Sequence, residues 1–151
     1  MNYIIRKIKP EDAQACYDNQ HANHFHDFLW SLDSWKFVST FLKDTWVAEF
    51  EGKVIAHNVG LIVNLDNNQI SYNILDNCVN PDYRMSGVSG TIMDNMCQFY
   101  PMMNTNIHAD NKAAEHILVS RGFRVIEEVE NHFSDGGTMK YLIRSEEWQS
   151  G

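Results

Sequence analysis

The stretch VNPDYRMSGVSG, residues 79–90, decides how this chain is read. A run rich in apolar and β-forming residues, Ile70 to Val79, leads into it and breaks at Pro81, which cannot donate to a strand ladder. Beyond the proline come Arg84, Gly87, Ser89 and Gly90, and then a helical pattern over Thr91 to Tyr100. Glycines and a serine at a helix start let backbone N–H groups approach a ligand closely and point at it. With the positive end of the helix dipole behind them, these residues read as an anion cradle, for which a diphosphate is the natural guest.

A length of 151 residues predicts one domain, 1–151, burying roughly 68–70% of its unfolded surface. Hydrophobic content of 44% against 21% charged residues excludes a disordered chain and predicts a soluble globular one. No apolar run approaches the roughly 20 residues that span a bilayer, so no membrane partner is expected. The opening MNYIIRKIKPED lacks the basic-then-apolar order of a signal peptide. Cys16, Cys78 and Cys97 are odd in number and lack metal-ligand spacing; they read as reduced thiols of a cytoplasmic protein. A net charge of −8 argues against nucleic acid as a partner. It is compatible with a cationic substrate, but many acidic proteins have none.

Along the chain, Tyr3 to Ile8 reads as a strand and Lys9-Pro10-Glu11-Asp12 as a helix start, with the helix running to Asn23. Ser31-Leu32-Asp33 reads as the cap of a second helix carrying Trp35, Val38, Phe41 and Leu42. Trp46 to Phe50 and Val54 to Leu65 are strands joined at Glu51-Gly52, and Asp66-Asn67-Asn68 turns into Gln69 to Val79. After the cradle helix come a strand at Thr105 to Ala109 and a helix at Asn111 to Arg121, which Gly122 ends. Two strands close the chain, Phe123 to Glu130 and Lys140 to Arg144, around Asp135-Gly136-Gly137. The order β-α-α-β-β-β-α-β-α-β-β predicts an α/β domain on a mixed sheet.

The cradle resembles motif A of the GCN5-related N-acetyltransferase superfamily: Arg or Gln, two residues, Gly, one residue, then Gly or Ala. Arg84, Gly87 and Ser89 fill those places, and Val79, Pro81 and Tyr83 precede them as in many members. Downstream, ADNKAAEHILVSRGF (109–123) resembles motif B, with Asn111, Ala114, Gly122 and Phe123 in register. The resemblance covers nearly the whole chain. It implies a mixed, mostly antiparallel sheet of about seven strands with about four helices on both faces. It also implies acetyl-CoA as acyl donor and an amine acceptor on a small molecule or peptide.

By that resemblance the backbone of Asn77, Cys78 and Val79 pairs with the pantetheine arm. The loop Arg84, Met85, Ser86, Gly87, Val88, Ser89 and Gly90 holds the diphosphate, and Asn111 lies near the pantetheine. Three departures stand out. Ser89 replaces Gly or Ala; Met85 and Ser86 replace a Gly and a basic residue; Leu118 stands where many members carry the Tyr that protonates the leaving thiolate.

A protonated alkylamine gives up its proton at pH 7 at a cost of roughly 4–5 kcal/mol, so a base is expected. Asp76, just before the cofactor-pairing residues, is the leading candidate, with a solvent-facing strand residue as the plain alternative. His57 is the second candidate, against a core or sheet histidine, and Tyr141 the replacement acid, against a packing tyrosine. Cys78 reads as inert packing rather than a nucleophile. His21, His24 and His26 in HANHFHDFLW do not share a helical face and complete no tetrahedral site, so no metal is expected. Phe25, His26 and Trp30 border the acceptor pocket if the resemblance holds, against ordinary packing by the aromatics. Glu127, Glu128 and Glu130 read as a solvated strand face. A catalytically degenerate acyl-CoA-binding module is the alternative to an enzyme, with Leu118 in its favour, and edge strands leave a homodimer open.

Overall fold

The computed structural model describes residues 2–23 and 29–149. Its strands are β1 (Ile4–Lys7), β2 (Trp46–Phe50), β3 (Lys53–Asn64), β4 (Ile70–Val79), β5 (Met102–His108), β6 (Arg124–Val129) and β7 (Met139–Ser145). They form one sheet in the order β1-β2-β3-β4-β5-β7-β6. Pairing is antiparallel for β1–β2, β2–β3, β5–β7 and β6–β7 and parallel for β4–β5, at Tyr72–Met103 and Asn73–Asn104. The helices are α1 (Ala13–His21), α2 (Leu32–Phe41), α3 (Val88–Phe99) and α4 (Lys112–Val119). The element order predicts the mixed sheet, and the resemblance implies its mostly antiparallel, seven-stranded form; the structure has both. No helix among the described residues is long and apolar enough to cross a membrane. The chain divides into two compact units, Met1–Leu61 with Leu75–Asn95, and Ile62–Ile74 with Met96–Gly151.

In the first unit, Pro10 opens a short 3-10 turn, Pro10–Asp12, and α-helical geometry begins only at Ala13. Asp12 closes that turn by accepting the Lys9 amide at 2.8 Å. Helix α1 stops at His21, two residues before Asn23, and Ser31 Oγ caps α2 by accepting Ser34 N at 3.1 Å. The β2–β3 hairpin turns on Glu51 and Gly52, both at positive φ (50° and 77°), as a two-residue turn of the right hand requires. Ile8, Cys16, Trp35, Val38, Val47, Val54 and Val59 form one apolar cluster, which packs α1 and α2 on β1–β3. Residues 54–60 of β3 are buried without alternation, so this part of the strand is covered on both faces.

In the second unit, β5 starts at Met102, three residues before the expected Thr105, because buried Met103 and Thr105 alternate with Asn104 and Asn106. Tyr72 and Tyr100 stack with centroids 4.0 Å apart, and Asn104 Nδ2 donates to Ser71 Oγ at 2.6 Å. Gly122 ends the α4 segment at φ 95°, with Phe123 N returning to Leu118 O at 3.2 Å. Leu118 itself is buried. Lys140 Nζ pairs with Glu115 Oε1 at 2.9 Å and ties α4 to β7. Glu127, Glu128 and Glu130 are exposed, as a solvated strand face is.

Arg6 forks onto Asp12, Nη1 to Oδ2 at 2.8 Å and Nη2 to Oδ1 at 3.0 Å, joining β1 to the start of α1. Burial pushes the Asp12 carboxyl up, but Arg6 and the Lys9 amide outweigh it and hold it below the usual carboxylate range. Asp12→Asn is expected to cost about 2–3 kcal/mol in urea unfolding at neutral pH. A depressed carboxylate contributes stability above its unfolded pKa, about 3.9, and loses it as pH falls through the lower folded value. The gap between wild type and Asp12→Asn should therefore narrow below about pH 4; a constant gap down to acid unfolding would contradict the assignment.

Candidate functional site

Helix α3 begins at Val88, three residues before the expected Thr91, so Val88, Ser89 and Gly90 form its first turn. Val88, Ile92 and Met93 are buried, and this apolar stripe fixes the helix start where glycine and serine propensity would not. The first ladder bond is Thr91 N to Gly87 O at 3.1 Å. The amides of Val88, Ser89 and Gly90 precede it, and no helical carbonyl answers them. Two residues of the approach are left-handed, Met85 at φ 65° and Gly87 at φ 81°. Such turns are the backbone conformations from which concave amide nests are built. Met85 is fully exposed. A side chain on Gly87 would meet nothing within 4 Å, so open space lies before that position. Ser86 Oγ is buried without a partner, while Ser86 O accepts Tyr3 Oη at 3.4 Å. Unanswered helix amides, an open face at Gly87 and a neighbouring guanidinium fit a diphosphate.

That guanidinium belongs to Arg84 and is held in place: its Nη2 donates to Asn23 Oδ1 at 2.6 Å. Asn23 Nδ2 in turn donates to Val79 O at 2.9 Å and approaches Cys78 Sγ at 2.8 Å. Asn80 continues the set. Its amide reaches Ile55 O at 2.7 Å, its Oδ1 caps the turn Pro81–Tyr83, and its Nδ2 donates to Asn19 Oδ1 at 2.8 Å. Asn19 Nδ2 reaches Val54 O at 3.0 Å. The side-chain roles of Asn19, Asn23 and Asn80 escaped the sequence reading; no local pattern announces bonds 35 to 61 residues apart.

Along β4 the side chains alternate. Asn77 faces Asn58, Nδ2 to Oδ1 at 3.0 Å, while Asp76 and Cys78 face α1 and α2. Asp76 is no solvent-facing residue: its side chain is 13% exposed, and Oδ2 lies 2.6 Å from His57 Nε2 and accepts Gln20 Nε2 at 3.2 Å. The two candidate bases thus form one pair, with His57 wholly buried and its ring edge-on to Trp35 at 4.6 Å. Burial pushes the Cys78 thiol up to about 12, and Asp76 adds to it, so this cysteine is an inert packing group.

Trp30 has its backbone engaged at both ends, N to Gln20 Oε1 at 2.8 Å and O to His21 Nε2 at 2.9 Å, and its ring tilts on Trp35 at 5.0 Å. Phe25 and His26, with His24, lie outside the described residues. In the second unit, Asn111 is the N-cap of α4, its Oδ1 accepting Ala114 N at 3.1 Å. Tyr141 sits in β7, in register with Asn106 and Glu127. Among the described residues no group of three or more His, Cys, Asp or Glu is arranged to hold a metal.

No protein-family model and no curated protein sequence matches the chain. Solved structures do. The ribosomal-protein-S18-alanine N-acetyltransferase from Escherichia coli is 19% identical, with TM-score 0.79 over 95% of this chain and 93% of that one. A GNAT-family acetyltransferase from Streptococcus pneumoniae is 13% identical, with TM-score 0.79 over 95% and 98%. Diaminobutyrate acetyltransferase from Paenibacillus lautus, in complex with its substrate and coenzyme A, is 14% identical, with TM-score 0.75 over 93% and 94%. The chain has the fold of the GCN5-related N-acetyltransferases.

Asn23→Ala removes the donor to Val79 O and the acceptor of Arg84 together. It is expected to cost about 1–3 kcal/mol in urea unfolding. A loss within error would mean that water or a neighbour answers these groups as well as Asn23 does.

Proposed function

We propose that this chain is an acetyl-CoA-dependent N-acetyltransferase whose acceptor is an amine of a small molecule or peptide, attacking the thioester directly in a ternary complex. The observation that carries the reading is the run of amides at the start of α3 that no helical carbonyl answers, approached through left-handed Met85 and Gly87. The acetyltransferases that share the fold act on an alanine of ribosomal protein S18 in one case and on diaminobutyrate in another, so the fold by itself leaves the acceptor open.

In this reading the amides of residues 84–90, with the Arg84 guanidinium, hold the diphosphate. The backbone of Asn77, Cys78 and Val79, the last three residues of β4, pairs with the pantetheine arm. An amide near Cys78 polarises the thioester carbonyl. Asn111 has its Oδ1 engaged in capping α4, so its amide nitrogen is the group assigned to the pantetheine. Asp76 takes the proton of the attacking amine, and Tyr141 returns one to the leaving thiolate in place of a residue at Leu118. Phe25, His26 and Trp30 border the acceptor. The chain, residues 1–151, acts as a single domain in the cytoplasm.

Gly87→Glu places a carboxylate in the open space before the cradle and strains a backbone at φ 81°. Titration calorimetry with CoA is expected to show binding abolished, and retained affinity would remove the cradle from the site. Asp76→Asn should lower kcat by about 10²–10⁴ and leave CoA affinity unchanged; an unchanged kcat removes Asp76 from the base role. Thermal stabilisation by CoA with no thiol released across a broad amine panel would establish a binding module instead of an enzyme.

A further inference from the structure

The geometry points to His57 and Gln20 as positioning residues for the Asp76 carboxylate: two donors, one from β3 and one from α1, that converge on Oδ2 and set its orientation. The inference rests on the reading of Asp76 as the base.

A carboxylate only accepts hydrogen bonds, so the 2.6 Å contact puts a proton on His57 Nε2. The other ring nitrogen, Nδ1, is buried and has no partner among the described residues. A histidine serving the core alone uses both nitrogens, because a buried unpaired polar atom costs about 1–3 kcal/mol. An apolar ring at position 57 would avoid that cost. What only the imidazole supplies here is the Nε2–H aimed at Asp76.

Gln20 is wholly buried too, and its amide is locked. Its Oε1 receives Trp30 N at 2.8 Å and Trp35 Nε1 at 3.1 Å, and neither of those donors can accept. The amide therefore cannot turn over, and its NH2 end faces Asp76 at 3.2 Å. Two N–H donors on one oxygen favour the charged form of a carboxylate against the burial that opposes it.

Among the described residues, three titratable groups stand near Asp76. His57 faces it from β3, Cys78 neighbours it on β4, and Cys16 lies near it on α1; Gln20 from α1 is neutral, and so is Trp35, packed on His57 from α2. Burial holds both thiols well above their ordinary range, so they carry no charge between about pH 5 and 10. Over that span the donor from His57 is the variable that mutation can isolate.

The test uses His57→Phe, which keeps a ring and loses the donor, and His57→Gln, which keeps an N–H. For His57→Phe the acid limb of the kcat/KM profile should move to higher pH by about one unit, with the KM for acetyl-CoA unchanged. His57→Gln should return the limb toward wild type. A wild-type profile in the Phe variant overturns the inference. Should that variant fail to fold, long-range 1H–15N correlation on the wild-type chain decides. A proton on Nε2 at neutral pH supports the assignment, and a proton on Nδ1 overturns it. The two readings fail separately. An Asp76→Asn variant with unchanged kcat sinks the base, and this inference with it. A slow Asp76→Asn beside an unshifted His57→Phe sinks this inference alone.

Discussion

The end of α1 and the end of β4 are joined by side-chain amides. Asn23 answers Val79 O and Asn19 O, Asn19 answers Val54 O, and Asn80 donates to Asn19 while capping the turn that follows. Leaving such a carbonyl unpaired away from water costs about 1–3 kcal/mol. The asparagines meet that demand, and in doing so they fix the point at which the chain leaves the sheet. Arg84 is carried along, because its guanidinium is anchored to the same Asn23. The geometry of the cradle is therefore inherited from the side-chain amides of Asn19, Asn23 and Asn80.

The polar groups of this unit are segregated by the alternation of β4. Asn77 and Asn58 pair on one face, while Asp76, Cys78 and His57 occupy the other beneath α1 and α2. A buried polar network specifies one arrangement when its members are all answered. Gln20 meets that standard with three bonds, and Asp76 accepts from both Gln20 and His57. Among the described residues His57 Nδ1 has no partner, so what the ring contributes to this network is its other nitrogen.

Features set by a few neighbouring residues were legible in the sequence. The Glu51-Gly52 turn, the Ser31 cap and the left-handed Gly122 follow from local backbone rules, and each holds in the structure. The start of α3 was misplaced because Ser89 and Gly90 are poor helix formers, whereas burial of Val88 fixes the helix from outside. The site shows the same division. Asp76 and His57 could each be singled out by residue type, as competing bases. That they touch depends on the β3–β4 register and on α1 and α2 closing over them, which residue type does not encode.

A final tension lies between the cradle and the charge of the whole chain. Met85 and Ser86 supply no cation, so Arg84 is the only basic side chain within residues 84–90 of a protein with net charge −8. A helix N-terminus contributes about 0.3–1 kcal/mol toward an anion at the surface, and up to about 2 when partly buried. The opposing field of distant carboxylates is screened beyond about 8 Å at physiological ionic strength. Local amides at contact distance therefore outweigh remote charges. In the proposed function the cradle would rely on main-chain donors more than on side-chain cations, so its hold on a diphosphate would depend on backbone shape at Met85 and Gly87. The left-handed conformation of those two residues would then be the constraint through which the fold reaches the ligand.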